Sequence, residues 1–207
     1  MQSILNQFGF EIAGDELDLR NRSNQEVMDF FNTLVGSGIG VFHGTNAKER
    51  FDTLETRQAN DSAKESGNKK AVYADEGMGA PLIAALLNKG HIRTKFKSFI
   101  TGWSGDSKGR MISKVTPNIY GLFKSGDQDL FSDGYIYVLD KTNFSNAEDA
   151  GAEWHSEINQ KPILSCRISK KLAEDIFIIG KGEDDTVAEY TPEEIEQMDE
   201  FQKKRIK

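Results

Sequence analysis

The sequence predicts an α+β fold, and three observations carry that reading. A capped amphipathic helix begins at Ser23, short apolar runs of strand length follow between turn residues, and a proline-led helix opens at Thr191. With 207 residues the chain is long enough for one domain with an added terminus and a real core.

Residues 1–20 alternate apolar and polar character without a clear period, and a short strand is expected around Phe8 to Ile12. Ser23 and Glu26 then form a capping box, each side chain satisfying an exposed backbone N–H of the other. Val27, Phe30, Phe31, Leu34 and Val35 fall on one helix face, and Gly36 is expected to supply the left-handed stop. Ile39 to Phe42 reads as a buried strand that delivers His43-Gly44-Thr45 at its end. The spacing Gly36-x-Gly38-x-Gly40 is not a dinucleotide fingerprint, because it follows a helix and precedes a strand.

Asn60 to Lys70 reads as a mobile surface loop, and Ala71 to Ala74 as a second strand. Pro81 to Leu87 is apolar around most of its circumference, so a short buried helix is expected, stopped by Asn88 and Gly90. From His91 to Ser113, basic, aromatic and glycine residues mix, which fits strand or loop. Tyr135 to Leu139 follows the turn signal Asp133-Gly134 and reads as a strand; Ile163 to Ile168 and Ile176 to Ile179 read likewise. Thr191-Pro192-Glu193-Glu194 starts a helix expected to reach about Lys204, where a basic tail complements the helix dipole.

Composition excludes several classes. Basic residues number 26 and acidic ones 33, a formal charge of −7, which argues against holding nucleic acid by a broad electrostatic footprint. The single Cys166 excludes a disulfide framework and multi-thiolate zinc clusters, and reads as a small core residue. Ala80 to Leu87 is too short to span a bilayer, and no basic region precedes an apolar core at the N-terminus. The expectation is a soluble, reduced, cytoplasmic protein without a membrane partner.

No two histidines have the helical spacing of a zinc site, and no EF-hand loop, G-x-S-x-G elbow or phosphate loop occurs, so no metal is expected. Asp127-Gln128-Asp129 and Glu183-Asp184-Asp185 read as solvated turns. What remains is His43 at a strand end, with Gly44 allowing close approach of a ligand, Tyr73, and Glu153 or Glu157. On an extended segment 153, 155 and 157 point to one side, so both carboxylates would face one cleft. By spacing alone such a trio carries little information.

Its surroundings add more. Phe42-His43-Gly44-Thr45, then Leu54-Glu55-Thr56-Arg57, then Val72-Tyr73-Ala74 before a small-residue helix resemble the ADP-ribosyltransferase-like superfamily, whose signature is His, Tyr and Glu on three separated strands. Gly134 to Leu139 and Glu153-Trp154-x-Ser156 look like the second half of such domains. The resemblance covers residues 39–180 and implies split antiparallel sheets with flanking helices and a nicotinamide-dinucleotide cleft between them. The organisation it implies is a lead-in and helix over 1–38, the transferase-like core over 39–180 and a C-terminal helix over 181–207.

Carried onto this chain, the resemblance makes NAD the cofactor. His43 would bond the nicotinamide-side ribose, Gly44 would pair its backbone with the carboxamide beside Thr45, and Tyr73 would stack on the nicotinamide ring. A glutamate would hold the ribose 2′-hydroxyl and stabilise the charge that develops as nicotinamide leaves. Many transferases place a Gln/Glu-x-Glu pair there, whereas here the carboxylates are four apart. Glu157 precedes an apolar residue as a strand-starting glutamate does; Glu153 has the better Glu-Trp-x-Ser context and is slightly favoured. Pairing of either with Lys161 or Arg167 is the structural alternative.

Arg57 suits bidentate phosphate contact, with a solvated loop arginine as the alternative. Arg93 to Arg110, with Phe96, Phe99 and Trp103 interleaved, fits either an acceptor site for single-stranded nucleic acid or a strand packed on the core. A dianionic donor needs local positive potential in so acidic a chain, and these two features are the first suspects. The implied function is an NAD-dependent ADP-ribosyltransferase acting on a macromolecular acceptor, protein or nucleic acid, as in phage- or bacterium-encoded effectors and toxins. The alternatives are an RNA 2′-phosphotransferase-like enzyme and a non-catalytic module that binds a dinucleotide or a protein.

Overall fold

The capping box forms as the sequence predicts. Ser23 donates its backbone N–H to Glu26 at 3.0 Å and its Oγ accepts the Glu26 N–H, which starts α2 (Asn24–Ser37). Val27, Phe30, Phe31 and Leu34 are buried. The left-handed stop is Gly38, at φ 62°, rather than Gly36, so the helix runs two residues past the expected end. This computed structural model describes residues 1–58, 69–96, 101–105, 111–146, 153–183, 186–194 and 196.

Ahead of α2 lie α1 (Gln2–Gln7) and β1 (Glu16–Asp18). The strand expected at Phe8 to Ile12 does not form. Phe8 and Phe10 instead set their rings 5.5 and 5.1 Å from that of Phe30, so these aromatics pack on α2. After α2 come β2 (Val41–Thr45), β3 (Arg57–Gln58), β4 (Lys70–Asp75) and α3 (Gly79–Leu86). Next are α4 (Lys89–Lys95), β5 (Thr101–Gly105), β6 (Met111–Val115), α5 (Pro117–Lys124) and β7 (Gly134–Leu139). The remaining elements are β8 (Ser145–Asn146), β9 (Glu153–Ser156), β10 (Leu164–Ile168), α6 (Lys171–Ile176), β11 (Phe177–Glu183) and β12 (Thr186–Ala188).

The chain divides into two units, Met1–Ala85 with Asp133–Ser169, and Leu86–Ser132 with Lys170–Lys207. The first holds an eight-stranded sheet in the order β1-β10-β7-β2-β4-β9-β8, with β3 added against the start of β4. Only β1–β10 is parallel. All six residues of β7 are buried, as a strand covered on both faces requires. Cross-strand partners share a face, so Val41, His43, Val72, Ala74, Trp154, Tyr135, Tyr137 and Leu139 lie on one side of the sheet. Phe42, Gly44, Tyr73, Asp75, Glu153 and His155 lie on the other.

Helix α3 sits on that second face at van der Waals limits. A Cβ at Gly44 would collide with the Pro81 carbonyl, and one at Gly134 with the Ala85 carbonyl. Pro81 and Ala85 are one helical turn apart, so two glycines on adjacent strands receive successive turns of one helix. The close approach that Gly44 permits is therefore made by α3.

The second unit holds a sheet in the order β12-β11-β6-β5, parallel between β6 and β11 and antiparallel elsewhere. Asn88 does not end the structure there. Its side chain accepts the His91 N–H at 3.1 Å and starts α4, where the sequence reads as strand or loop. Helices α5 and α6 also lie outside the sequence-based expectations. Thr191 and Glu194 exchange capping hydrogen bonds, 2.9 and 3.3 Å, as expected for a helix start. The helix's expected course to Lys204, most of the loop Asn60 to Lys70, and residues 97–100 and 106–110 of the basic–aromatic segment lie outside the described residues.

The fold class is thus mixed α+β, with a mostly antiparallel multistranded sheet and flanking helices. No described helix is long and apolar enough to cross a membrane. The glycine contacts give a direct check in urea denaturation. Gly44→Ala should cost about 1–3 kcal/mol by overpacking, while Gly36→Ala, in open space on α2, should stabilise by about 0.5–1 kcal/mol. Equal effects at the two positions would contradict the packing described.

Candidate functional site

The ladder between β2 and β4 is one residue pair long, Phe42 with Asp75, against five pairs between β2 and β7 and four between β4 and β9. At the other end of β4, Ala71 is already paired with Arg57 of β3. Between these points the strands part near the middle of the sheet, and a cavity of about 360 Å³ opens there. His43 and Thr45 of β2, Ala71 to Tyr73 of β4 and the segment from Phe51 to Gln58 contribute to its walls.

His43 spans the parting. Its Nδ1 lies 2.6 Å from the Tyr73 carbonyl oxygen. A carbonyl only accepts, so Nδ1 carries the proton. On the same face the His43 ring lies 6.3 Å from that of Tyr137.

The outer wall is clamped at three places. The Phe51 N–H donates to the Tyr137 hydroxyl at 2.9 Å, Leu54 and Gln160 exchange both backbone hydrogen bonds at 2.8 and 2.9 Å, and the Thr56 N–H donates to Asn159 Oδ1 at 3.0 Å. Gln160 is buried and its Nε2 donates to Ser156 Oγ at 2.7 Å, which ties the wall to β9. Burial pushes the Tyr137 hydroxyl up to about 12, so it stays protonated at any physiological pH. The Phe51 ring stacks on that of Tyr137 at 6.4 Å, and the Arg57 guanidinium lies 5.9 Å over Phe51. Among the described lining residues Arg57 is the one fixed cation and Glu55 the one carboxylate.

Tyr73 belongs to the cavity wall, but its ring lies on the face opposite His43, 6.5 Å from the ring of His155. Its hydroxyl accepts the Lys69 N–H and donates to the Lys69 carbonyl, both at 3.0 Å. The Lys69 ammonium lies 2.9 Å from His155 Nε2 and 3.4 Å from Glu157. Burial, then the Lys69 charge, holds the His155 imidazole below the ordinary histidine range, with Glu157 opposing. Asp75 faces Glu153 directly across β4 and β9. Its carboxyl is raised by burial and, less, by Glu76, while the Gly77 N–H at 2.7 Å works against both.

The structure therefore gathers His43, Thr45, Arg57 and Tyr73 at one cavity, with Gly44 between the first two in β2. Neither Glu153 nor Glu157 is among the lining residues. Glu153 is the first residue of β9, on the face away from His43. Glu157 lies past the end of that strand, exposed, and pairs with Lys69 rather than Lys161 or Arg167. Sequence reasoning did not assign a role to Glu55, Tyr137 or Gln160. The partners of Tyr137 and Gln160 include residues distant in the chain, which no local spacing marks.

In the other unit, His91, Asp127 and Asp129 bring ligand-type atoms within 4.8 Å of one another. Asp127 already accepts from Lys95 Nζ at 2.6 Å and His91 Nε2 at 3.1 Å, which together hold its carboxyl well below the usual range. The expected solvated turn is thus anchored to α4 through Asp127, and the positive charge at this group is the protein's own ammonium. No family model, curated protein or solved structure matches the chain.

Tyr137→Phe would leave the Phe51 N–H without its acceptor. Stability should fall by about 1 kcal/mol, and hydrogen exchange at the Phe51 amide should accelerate while α2 amides keep their rates. Unchanged exchange at Phe51 would contradict the clamp.

Proposed function

We propose that this chain is an NAD-dependent ADP-ribosyltransferase for a macromolecular acceptor, protein or nucleic acid, with an ADP-ribosyltransferase-like fold. The observation that carries the reading is the cavity opening where β2 and β4 part, lined by His43, Thr45, Arg57 and Tyr73. The sheet order supports it, because β2, β4 and β9 are neighbours and bear His43, Tyr73 and Glu153.

The cavity fits one end of a dinucleotide. Its volume lies near the lower bound of small-molecule sites, about 300 Å³, which suits a nicotinamide with its ribose. A primary carboxamide carries the donor and acceptor of a peptide group, and the end of the β2–β4 ladder is where a sheet accepts such a group. NAD supplies an ADP-ribosyl group whose glycosidic bond to nicotinamide is the one broken. His43 and Thr45 bind sugar hydroxyls, and Arg57 holds the diphosphate at the cavity's edge. The charge that develops on the ribose needs a carboxylate. Glu153 fills that role by resemblance, and Glu55 is the carboxylate among the described lining residues.

A second reading has its own support. Since neither Glu153 nor Glu157 lines the cavity, a module that binds the dinucleotide without turning it over fits the same walls.

Nicotinamide release from NAD separates the two. The wild type should release it, His43→Ala should weaken NAD binding, and one of Glu153→Gln or Glu55→Gln should cut release by about 10²-fold or more. Glu157→Gln should leave release unchanged. Binding without release by the wild type selects the module, and absence of both contradicts the proposed site.

A further inference from the structure

The face of β4 and β9 away from His43 carries a cluster that the transferase reading does not use. Lys69 grips Tyr73 twice through its backbone, since its N–H and carbonyl both meet the Tyr73 hydroxyl at 3.0 Å. Its ammonium is held in turn by His155 Nε2, at 2.9 Å. An ammonium only donates, so this contact exists only while Nε2 keeps its lone pair. His155 is 6% exposed, which makes a second charge beside Lys69 costly.

Among the described residues, the groups around His155 are these. From β4, Tyr73 stands in register with it and Asp75 lies two residues along on the same face. Lys69 approaches from just before β4, and β8 presents the uncharged Ser145 in register. On its own segment are Glu153 and, past the strand end, Glu157, the other partner of the Lys69 ammonium.

We propose that Lys69 and His155 form a proton-operated latch on Tyr73, a residue of the strand that lines the cavity: neutral His155 holds Lys69, Lys69 holds the Tyr73 hydroxyl, and protonation of His155 releases both. A proton on Nε2 sets two donors and two positive charges face to face, and Glu157, 3.4 Å from the Lys69 ammonium, is the exposed partner left to Lys69 when it leaves His155. The latch is engaged above the His155 titration and lost as pH falls through it. Its consequence for a dinucleotide rests on the function proposed above; the latch itself does not.

The test is an NMR titration of the full chain without ligand, from about pH 8 to about pH 5, reading the His155 imidazole, the Lys69 amide and the Tyr73 ring. His155 should titrate below the ordinary value near 6.5, with Lys69 and Tyr73 following the same midpoint. His155→Gln keeps an acceptor for Lys69 but cannot be protonated, and it should flatten the Lys69 and Tyr73 curves. Lys69→Met, at a more exposed position, should raise the His155 midpoint and uncouple Tyr73. Flat Lys69 and Tyr73 signals in the wild type, or an unchanged titration in His155→Gln, overturn the latch. If NAD binds, its affinity should fall up to about tenfold per pH unit below the midpoint in the wild type and not in His155→Gln. A pH-independent wild-type affinity overturns the latch's hold on the cavity, while failure of NAD to bind refutes the proposed function and leaves the ligand-free titration to decide the latch.

Discussion

Helix α3 rests on the large sheet by its backbone, and that contact settles the geometry of everything near His43. Gly44 and Gly134 stand on adjacent strands with nothing beyond Cα on the α3 side, and the carbonyls of Pro81 and Ala85 occupy the space. Because a strand alternates faces, seating Gly44 against α3 turns His43 and Thr45 to the opposite face. The residue pair flanking the glycine is thus aimed by a packing constraint, not by a ligand. A side chain at either glycine would collide with the α3 carbonyls, so helix or strand would have to shift.

The second constraint is the short ladder between β2 and β4. A sheet interior normally continues its hydrogen bonds, and here it stops after one pair while both outer ladders carry on. His43 covers part of the break by donating to the Tyr73 carbonyl. The wall from Phe51 to Gln58 closes the remainder, held by Tyr137, Asn159 and Gln160 and, at its end, by the pairing of β3 with β4. In a chain of net charge −7, Arg57 on that wall places a positive charge beside the cavity, the potential that the proposed anionic ligand would require.

The legible parts of the sequence were those with local causes. The Ser23–Glu26 box, the helix face from Val27 and the strands around Tyr73, Tyr137 and Cys166 depend on residues within a few positions of one another. Phe8 and Phe10 misled because their period suits a strand while their partner, Phe30, lies on a helix. Asn88 reads as a stop, yet the same side chain can accept from three residues ahead and begin a helix. At the candidate site, His43, Thr45, Arg57 and Tyr73 were nameable from short motifs. Glu55 stands in the same motif as Arg57 but drew no role from it, and the Leu54–Gln160 pairing was hidden because a contact across so much chain leaves no periodic trace. Alternation did foresee that Glu153 and His155 share a side; it did not show that β9 ends at Ser156, which leaves Glu157 on the surface with Lys69.

The central claim is that the parted strands bind a nicotinamide dinucleotide, and a backbone amide NMR titration with NAD tests it most directly. The account predicts saturable shifts concentrated at Gly44, Thr45, Arg57 and Tyr73 and along residues 51–58, with the amides of α2 and of the second unit unmoved. Saturable shifts centred elsewhere, or none at millimolar NAD, would contradict it.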